Sequence, residues 1–533
     1  MTRQTQLTIT IALLLFSAVW GAMCFLSLRE NAIGLLSDSY IYLLLTDFFS
    51  PFHSLNKEFA EYLFSHYAYP PGFPIVLGLL GGGSQLMEIN YIIDAMFLGA
   101  AVTAFFVWLL TQGLSRTEAA LLACLFALLP GTLLSGLGIL SEHPYLFATL
   151  FAASLLSSAK GAKHFLFAAA LIGFAALIRS VGVAAIIAFA IFCIANYANG
   201  LLKRRTIIVS LVIAVLPIAS RSLVRNLFGF ESSYSDSIIN GGYFDSLVGI
   251  VNQIPINLRA FWHHFKNLFS SFNNAGDLFP TVLISLMILG WLSALRKLRF
   301  EALYVLLYLC VILAWPYPNH YGRFILVVLP FLLYYGYDGL NTIAAIFSRK
   351  TSSLKGKLVI GACYVFGLAV LSLPTSMQIV REIQFHHGTQ LQHLARTPNW
   401  HHLSGNSRAK KILALQAMLN SMQAVSSLTP VTACVASSEP HFMHFYAKRR
   451  SYKPAPASVD ETRFEQSLNA CPFVFMMAVS SVPPSEFPAM YPFHRIKHDM
   501  HVLDVSFFEG ETKKGTVSTM LVATGEAKKT LND

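Results

Sequence analysis

Residues 37–45 read SDSYIYLLL, and residues 67–80 read YAYPPGFPIVLGLL. The first stretch follows an apolar run over 7–28; the second turns the chain back into apolar sequence through Pro70 and Pro71. An acid, Asp38, therefore stands at the edge of a membrane-length segment, in a loop too long to be an ordinary connector. A carboxylate this close to lipid is costly unless it has a partner or a task.

The rest of the chain repeats the apolar theme. Of 533 residues, 55% are hydrophobic and 12% charged, and the mean hydropathy is +0.56; a soluble domain carries about twice that charge. Apolar runs of roughly 15–22 residues, long enough to cross or nearly cross a bilayer, recur near 7–28, 89–111, 118–134, 144–158, 164–178, 182–198, 206–220, 280–295, 301–315, 324–340 and 357–374. The expected fold is thus an α-helical polytopic membrane protein with about eleven transmembrane helices. The piece at 71–83 is too short to span and reads as a re-entrant or interfacial helix.

A net charge of +11 raises the question of nucleic acid, but the distribution excludes it. Arg116, Lys160, Lys163, Lys203, Arg204, Arg205, Arg296, Lys297, Arg299, Arg349, Lys350, Lys355 and Lys357 fall in alternate short loops, which is the positive-inside pattern. It puts the N-terminus in the cytoplasm. The loops near 29–88, 135–143, 179–181, 221–279 and 316–323 are then outside, as is everything after about residue 375. The first apolar run is about 22 residues with no A-x-A site after it, so it reads as an uncleaved anchor. No Asn begins an N-x-Ser/Thr sequon, which favours a bacterial inner membrane.

Two domains are expected: 1–375 in the membrane, with outer loops 29–88 and 221–279, and 376–533 outside it. In the second, 408–423 has the period of an amphipathic helix. Short β-like runs follow at 431–437, 473–479, 501–508 and 518–524, punctuated by Pro, Ser and Gly, so the domain reads as small and mixed α/β. Five of the seven cysteines lie in apolar runs. Cys434 and Cys471 lie outside them, where an oxidising compartment permits a disulfide whose geometry the sequence does not reveal. Within 221–279 the stretch FDSLVGIVNQIPINLRAFWHHFKNLF mixes aromatics with Arg259, His263, His264 and Lys266 and reads as an interfacial amphipathic helix.

Sorted by side, the chemically versatile groups gather on the outer face: Asp38, His66, Tyr67, Tyr69, Asp94, Glu142, His143, Arg179, Arg221, Arg225, His320 and Arg323. Each has a structural reading. Asp38 suits a helix N-cap or solvated loop, and Glu142, just before Pro144, suits a helix N-terminus. Arg179 and Arg323 suit snorkelling to headgroups, and Asp94 suits bonding to a neighbouring helix. As a set they suggest more. A carboxylate can take a proton from an attacking hydroxyl, and arginines can neutralise a departing phosphate where water is scarce. The histidines of FHHGTQLQHLARTPNWHH, residues 385–402, lack H-E-x-x-H or Cys-His spacing and read as a solvated, headgroup-facing segment.

The order and spacing of several stretches resemble a known family. They are SDSYIYLLL after the first span, YPPGFPIVLGLL closing the first outer loop, and TQGLSRTEAALLACLFALLPGTLLSGLGILSEHPYLFATLFAASLL. GFAALIRSVGV, HYGRFILVVLPFLLYYGYDGL and VASSEPHFMHFYAKRRSY complete the set. Together they resemble the GT-C membrane glycosyltransferases, closest to the bacterial branch with protein-mannosyltransferase-like, aminoarabinose-transferase-like and Rgt-like enzymes. The resemblance implies a polyprenyl-phosphate sugar donor, Asp38 at the catalytic acidic position and Glu142 at the second. It implies Arg179 and Arg323 at basic positions near the donor phosphate. The chain has no D-x-D triplet or Gly-rich phosphate loop. It departs from the family in placing Ser39 after Asp38, where Glu or Gly is frequent, so no metal site is carried over and a divalent cation stays open as a cofactor.

The expected activity is sugar transfer on the extracytoplasmic face, inverting, with Asp38 as general base and Glu142 positioning acceptor or base. Arg179 and Arg323 are assigned to the departing phosphate, and Tyr69, His143 and His320 to the substrate pocket. The acceptor is a glycolipid, polysaccharide or protein; membrane lipids are the other partner, and nucleic acid is not one. The competing readings are an exporter of lipid-linked sugars and a membrane scaffold with an external binding domain.

Overall fold

A computed structural model describes residues 3–28, 37–52, 69–159, 161–198, 200, 202–228, 247–269, 277–315, 321–347, 354–385, 422, 424–437, 440–452, 471–477, 501–508 and 516–523. His66, Tyr67, His320, the histidine-rich 386–402 and nearly all of 408–423 lie outside them. The chain folds as two compact units.

The first unit takes in 1–31, 65–80 and 88–385. Its helices are α1 (Arg3–Leu28), α3 (Gly72–Leu79), α4 (Met87–Thr111), α5 (Arg116–Leu128), α6 (Pro130–Ser135), α7 (Glu142–Ser157), α8 (Ala162–Ile178), α9 (Val183–Ala198), α10 (Arg204–Phe228), α11 (Leu247–Phe269), α12 (Leu278–Arg296), α13 (Phe300–Leu313), α14 (Tyr321–Phe347) and α15 (Leu354–Phe385); α2 (Ser37–Phe49) belongs to the other unit. Among the described residues seven helices are long and apolar enough to cross a membrane, and α8 and α13 are shorter apolar helices. The protein is a multi-pass integral membrane protein.

Two further expected spans differ in form, besides 164–178 and 301–315, which form the shorter α8 and α13. The run 118–134 divides into α5 and α6 at Leu129, whose extended φ of −63° and ψ of 141° is what a residue before proline adopts. The run 144–158 becomes α7, 16 residues long and buried along most of its length. Helices packed inside a bundle need not span it alone. The start of α5 is fixed by a capping box in which Ser115 Oγ accepts from the Glu118 amide and Glu118 Oε2 accepts from the Ser115 amide at 2.9 Å. As expected, 71–83 yields only the eight-residue α3.

The second unit gathers 32–64, 81–87 and 386–533. It holds β1 (Cys434–Ser437), β2 (Arg450–Tyr452), β3 (Phe473–Met477), β4 (His501–Phe508) and β5 (Thr516–Ala523) in one sheet of order β2-β1-β3-β5-β4. The pairs β1–β2 and β1–β3 are parallel, and β3–β5 and β4–β5 antiparallel. Cys434 and Cys471 are joined in a disulfide at one end of the β1–β3 pair. Val435, Ala436, Phe473, Val474 and Phe475 form the sheet's buried core. The β-like runs of the sequence correspond to β1, β3, β4 and β5. Among the described strands only β2 departs from the expectation, being three residues long on the sheet edge.

Candidate active site

Three of the expected site residues meet in the first unit. Glu142 is the first residue of α7, where a carboxylate complements the helix dipole. Its Oε1 accepts from Arg179 Nη1 and from Arg323 Nε, each at 2.8 Å. Glu142 is 0% exposed, and the two arginine side chains are 12% and 11% exposed. Arg179 Nη1 also donates to Ser141 Oγ at 3.0 Å, and its guanidinium lies 5.9 Å from the ring centre of Phe324. Two guanidiniums thus meet on one buried carboxylate in a nearly dry setting.

The backbone explains how Arg179 reaches this point. It ends α8 in an extended conformation, φ −140° and ψ 134°, before a single 3₁₀ turn, Ser180–Gly182, starts the chain back. The reversal folds flat against α8: a Cβ on Gly182 would collide with the backbone of Ala176. From the other side α3 presses on the same place. A Cβ on Gly72 would sit 2.7 Å from the carbonyl carbon and oxygen of Leu177, the residue two before Arg179. The small residues around this arginine are therefore a steric requirement.

Arg323 is the third residue of α14, where a cation opposes the helix dipole; Glu142 offsets that cost. The first turn of α14 is anchored by Tyr321, whose hydroxyl donates to the Ile312 carbonyl, and by Tyr308, which donates to the Phe324 carbonyl at 3.0 Å. Asn257 of α11 donates to the carbonyls of Leu313 and Trp315 at 2.8 and 2.7 Å, fixing the end of α13 that leads toward Arg323.

His143 adjoins Glu142 but faces elsewhere. Its Nδ1 lies 2.7 Å from Asp94 Oδ2 and its Nε2 3.1 Å from Ser135 Oγ, all three groups buried. The other Asp94 oxygen accepts from the Leu140 amide at 3.3 Å. Asp94 thus has the helix-bonding role expected of it, and His143, expected in the substrate pocket, instead ties α4, α6 and α7 together. Ser135 and Ser141 were not singled out in the sequence, where single serines near helix ends carry no distinguishing signal. Tyr69 lies two residues before Pro71, partly buried. Asp38 is the second residue of α2, partly buried, in the second unit.

Among the described residues no group of three His, Cys, Asp or Glu side chains is placed to hold a metal ion. Glu142 Oε1 is shared by two guanidiniums, a field that repels a cation, so the residues at Glu142 do not fit a metal.

No protein-family model matches the chain, and no curated protein matches it by sequence. Solved structures of the Archaeoglobus fulgidus oligosaccharyltransferase are similar to it. One, in complex with Zn and sulfate, has 13% identity and a TM-score of 0.49, covering 94% of this chain and 73% of that one. Another, AglB with an inhibitory peptide and a dolichol-phosphate, has 12% identity and a TM-score of 0.47, covering 94% and 74%.

Proposed function

We propose that the protein is a GT-C-type membrane glycosyltransferase that moves a sugar from a polyprenyl-phosphate donor to a hydroxyl of a glycolipid, polysaccharide or protein. The observation that carries this reading is the convergence of Arg179 and Arg323 on one buried carboxylate. Two desolvated guanidiniums brought side by side by a buried carboxylate suit a phosphate, and the planar fork matches its oxygens.

In the proposed reaction the acceptor hydroxyl attacks the anomeric carbon as Asp38 takes its proton. The bond from that carbon to the phosphate oxygen breaks, and polyprenyl phosphate leaves with the electron pair. Arg179 and Arg323 neutralise the charge that develops on it. Glu142, expected from sequence to position acceptor or base, has the task here of orienting both guanidiniums. A phosphate leaving group needs little protonation, so one displacement with inversion suffices; the acid–nucleophile pair of a retaining route has no role. The reaction is assigned to the extracytoplasmic face of a bacterial inner membrane. The positive-inside loops support this, as does the Cys434–Cys471 disulfide in the unit that also holds α2.

Replacing Arg179 or Arg323 by Lys tests the phosphate role. Lysine can snorkel to headgroups as arginine does, but offers only a point charge in place of a fork. Each variant should express normally and turn over roughly tenfold slower or worse at saturating acceptor, the loss of about 1.5 kcal/mol of charge-assisted bonding. Unchanged turnover in both would place the phosphate elsewhere and remove the main support for this reading.

A further inference from the structure

We infer that Tyr446 is a positioning residue that sets the rotation of helix α2 and, through it, the direction in which Asp38 points. The inference rests on the role proposed above for Asp38.

Helix α2 and the C-terminal sheet belong to one compact unit although about 380 residues of chain separate them. Tyr40 is 0% exposed. Its hydroxyl lies 2.6 Å from that of Tyr446, and its ring stands edge-on to Phe442 and Phe445, each 4.9 Å between centres. His441 adds a fourth wall at 6.4 Å. The cradle comes from residues 440–447, the connection between β1 and β2.

A second pin lies two turns along. The Asp47 carboxylate accepts from the Ser84 amide at 2.8 Å and from Ser84 Oγ at 2.5 Å, and Lys448, just past the cradle, feels the charge of Asp47. At 3.6 residues per turn, positions 40 and 47 fall within about 20° of each other on the helix. Position 38 is about 180° from Asp47 and about 200° from Tyr40. Both pins therefore hold one face of α2, and Asp38 is on the opposite face, at the partly buried end. One pin fixes where the helix sits; two on one face also fix its rotation.

The cradle is itself rigid. Lys448 adopts a left-handed φ of 53°, and the Arg449 amide closes the turn onto the Met443 carbonyl at 3.3 Å. The buried Arg449 guanidinium donates to the carbonyls of Ala447, Lys448, Ser426 and Thr429 at 2.6–3.2 Å, and its Nε to Thr429 Oγ1. Tyr446 thus projects from a turn held on both sides.

The test uses the full-length protein with Tyr446→Phe and Tyr446→Ala, read three ways. Hydrogen exchange over 37–49 should accelerate in both variants, while exchange over 434–437 stays at the parent level in Tyr446→Phe. A thiol placed by Asp38→Cys should change its maleimide labelling rate when Tyr446→Phe is added. Turnover should fall roughly tenfold in kcat with the acceptor KM unchanged. In an Asp38→Asn background Tyr446→Phe should cost nothing further, because its whole effect passes through Asp38. Additive losses would overturn the inference, since they mean a general structural role. Unaltered exchange and labelling would overturn it too. Should Tyr446→Ala misfold, Tyr40→Phe removes the same hydrogen bond from the other side and must reproduce the Tyr446→Phe result. A parent that transfers no sugar from any polyprenyl-phosphate donor sinks the transferase reading alone; exchange and labelling still decide whether Tyr446 turns α2.

Discussion

Glu142 is costly to bury and is retained because two cations share it. Removing one partner from a buried ion pair typically costs about 3–5 kcal/mol, since the remaining charge is stranded. With two guanidiniums on Oε1, loss of either leaves the other in place, which is why Lys substitutions can separate chemistry from folding here. His444 presents the opposite case, a buried group that stays neutral. Burial, reinforced by the neighbouring His441 and Arg450, pushes its imidazole down to about 3. The unfolded chain takes up that proton below about pH 6.5 and the folded unit does not. Stability from this residue is thus fully present above about pH 6.5 and lost as pH falls toward 3, at up to about 1.4 kcal/mol per pH unit. Proteolysis of the 386–533 region should quicken between pH 7 and pH 5 in the parent, and the pH dependence should flatten in His444→Gln. An equal acid response in the two proteins would show that other groups control it.

At the scale of elements, the site depends on a helix ending where it does. Arg179 is delivered by the stop of α8, with Gly72 of α3 and Gly182 of the return turn lying against that stop. Gly72→Ala places a methyl against backbone, which cannot rotate away. It should cost about 1–3 kcal/mol of stability, as overpacking does, and slow turnover by displacing Arg179. Gly367→Ala, inside α15 with nothing within 4 Å of the added carbon, is the control and should melt no lower than the parent and turn over like it. Equal melting of the two variants would remove the steric account. Much of this was legible in the sequence. Membrane-length apolar runs, the short helix after Pro71 and four of the five strands follow from period and punctuation, and the candidate set included the Glu142, Arg179 and Arg323 that meet. What stayed illegible was long-range pairing. No local pattern says that His143 turns to Asp94 while its neighbour Glu142 turns to two arginines. Nor does any say that Tyr40 is received by residues 440–447, since an aromatic in SDSYIYLLL has the same local signature whether it faces lipid, a helix or a distant domain.

At the scale of the whole chain, the alternation of Lys/Arg-rich loops in the sequence sets the topology to be tested. Reporter fusions after residues 116, 162, 204, 298 and 353 should report the cytoplasm, and fusions after 140, 240 and 400 the outside. A cytoplasmic signal at 400 would put the disulfide-linked domain in a reducing compartment and the proposed site on the wrong face. The most direct test of the central claim is turnover itself. Purified protein in lipid vesicles is given a labelled polyprenyl-phosphate sugar and a hydroxyl acceptor, and free polyprenyl phosphate is measured. The account predicts its release in step with labelled acceptor, falling about 10²–10⁴-fold in Asp38→Asn as expected for loss of a general base. Donor that crosses the bilayer intact, or that is neither moved nor consumed, would contradict it.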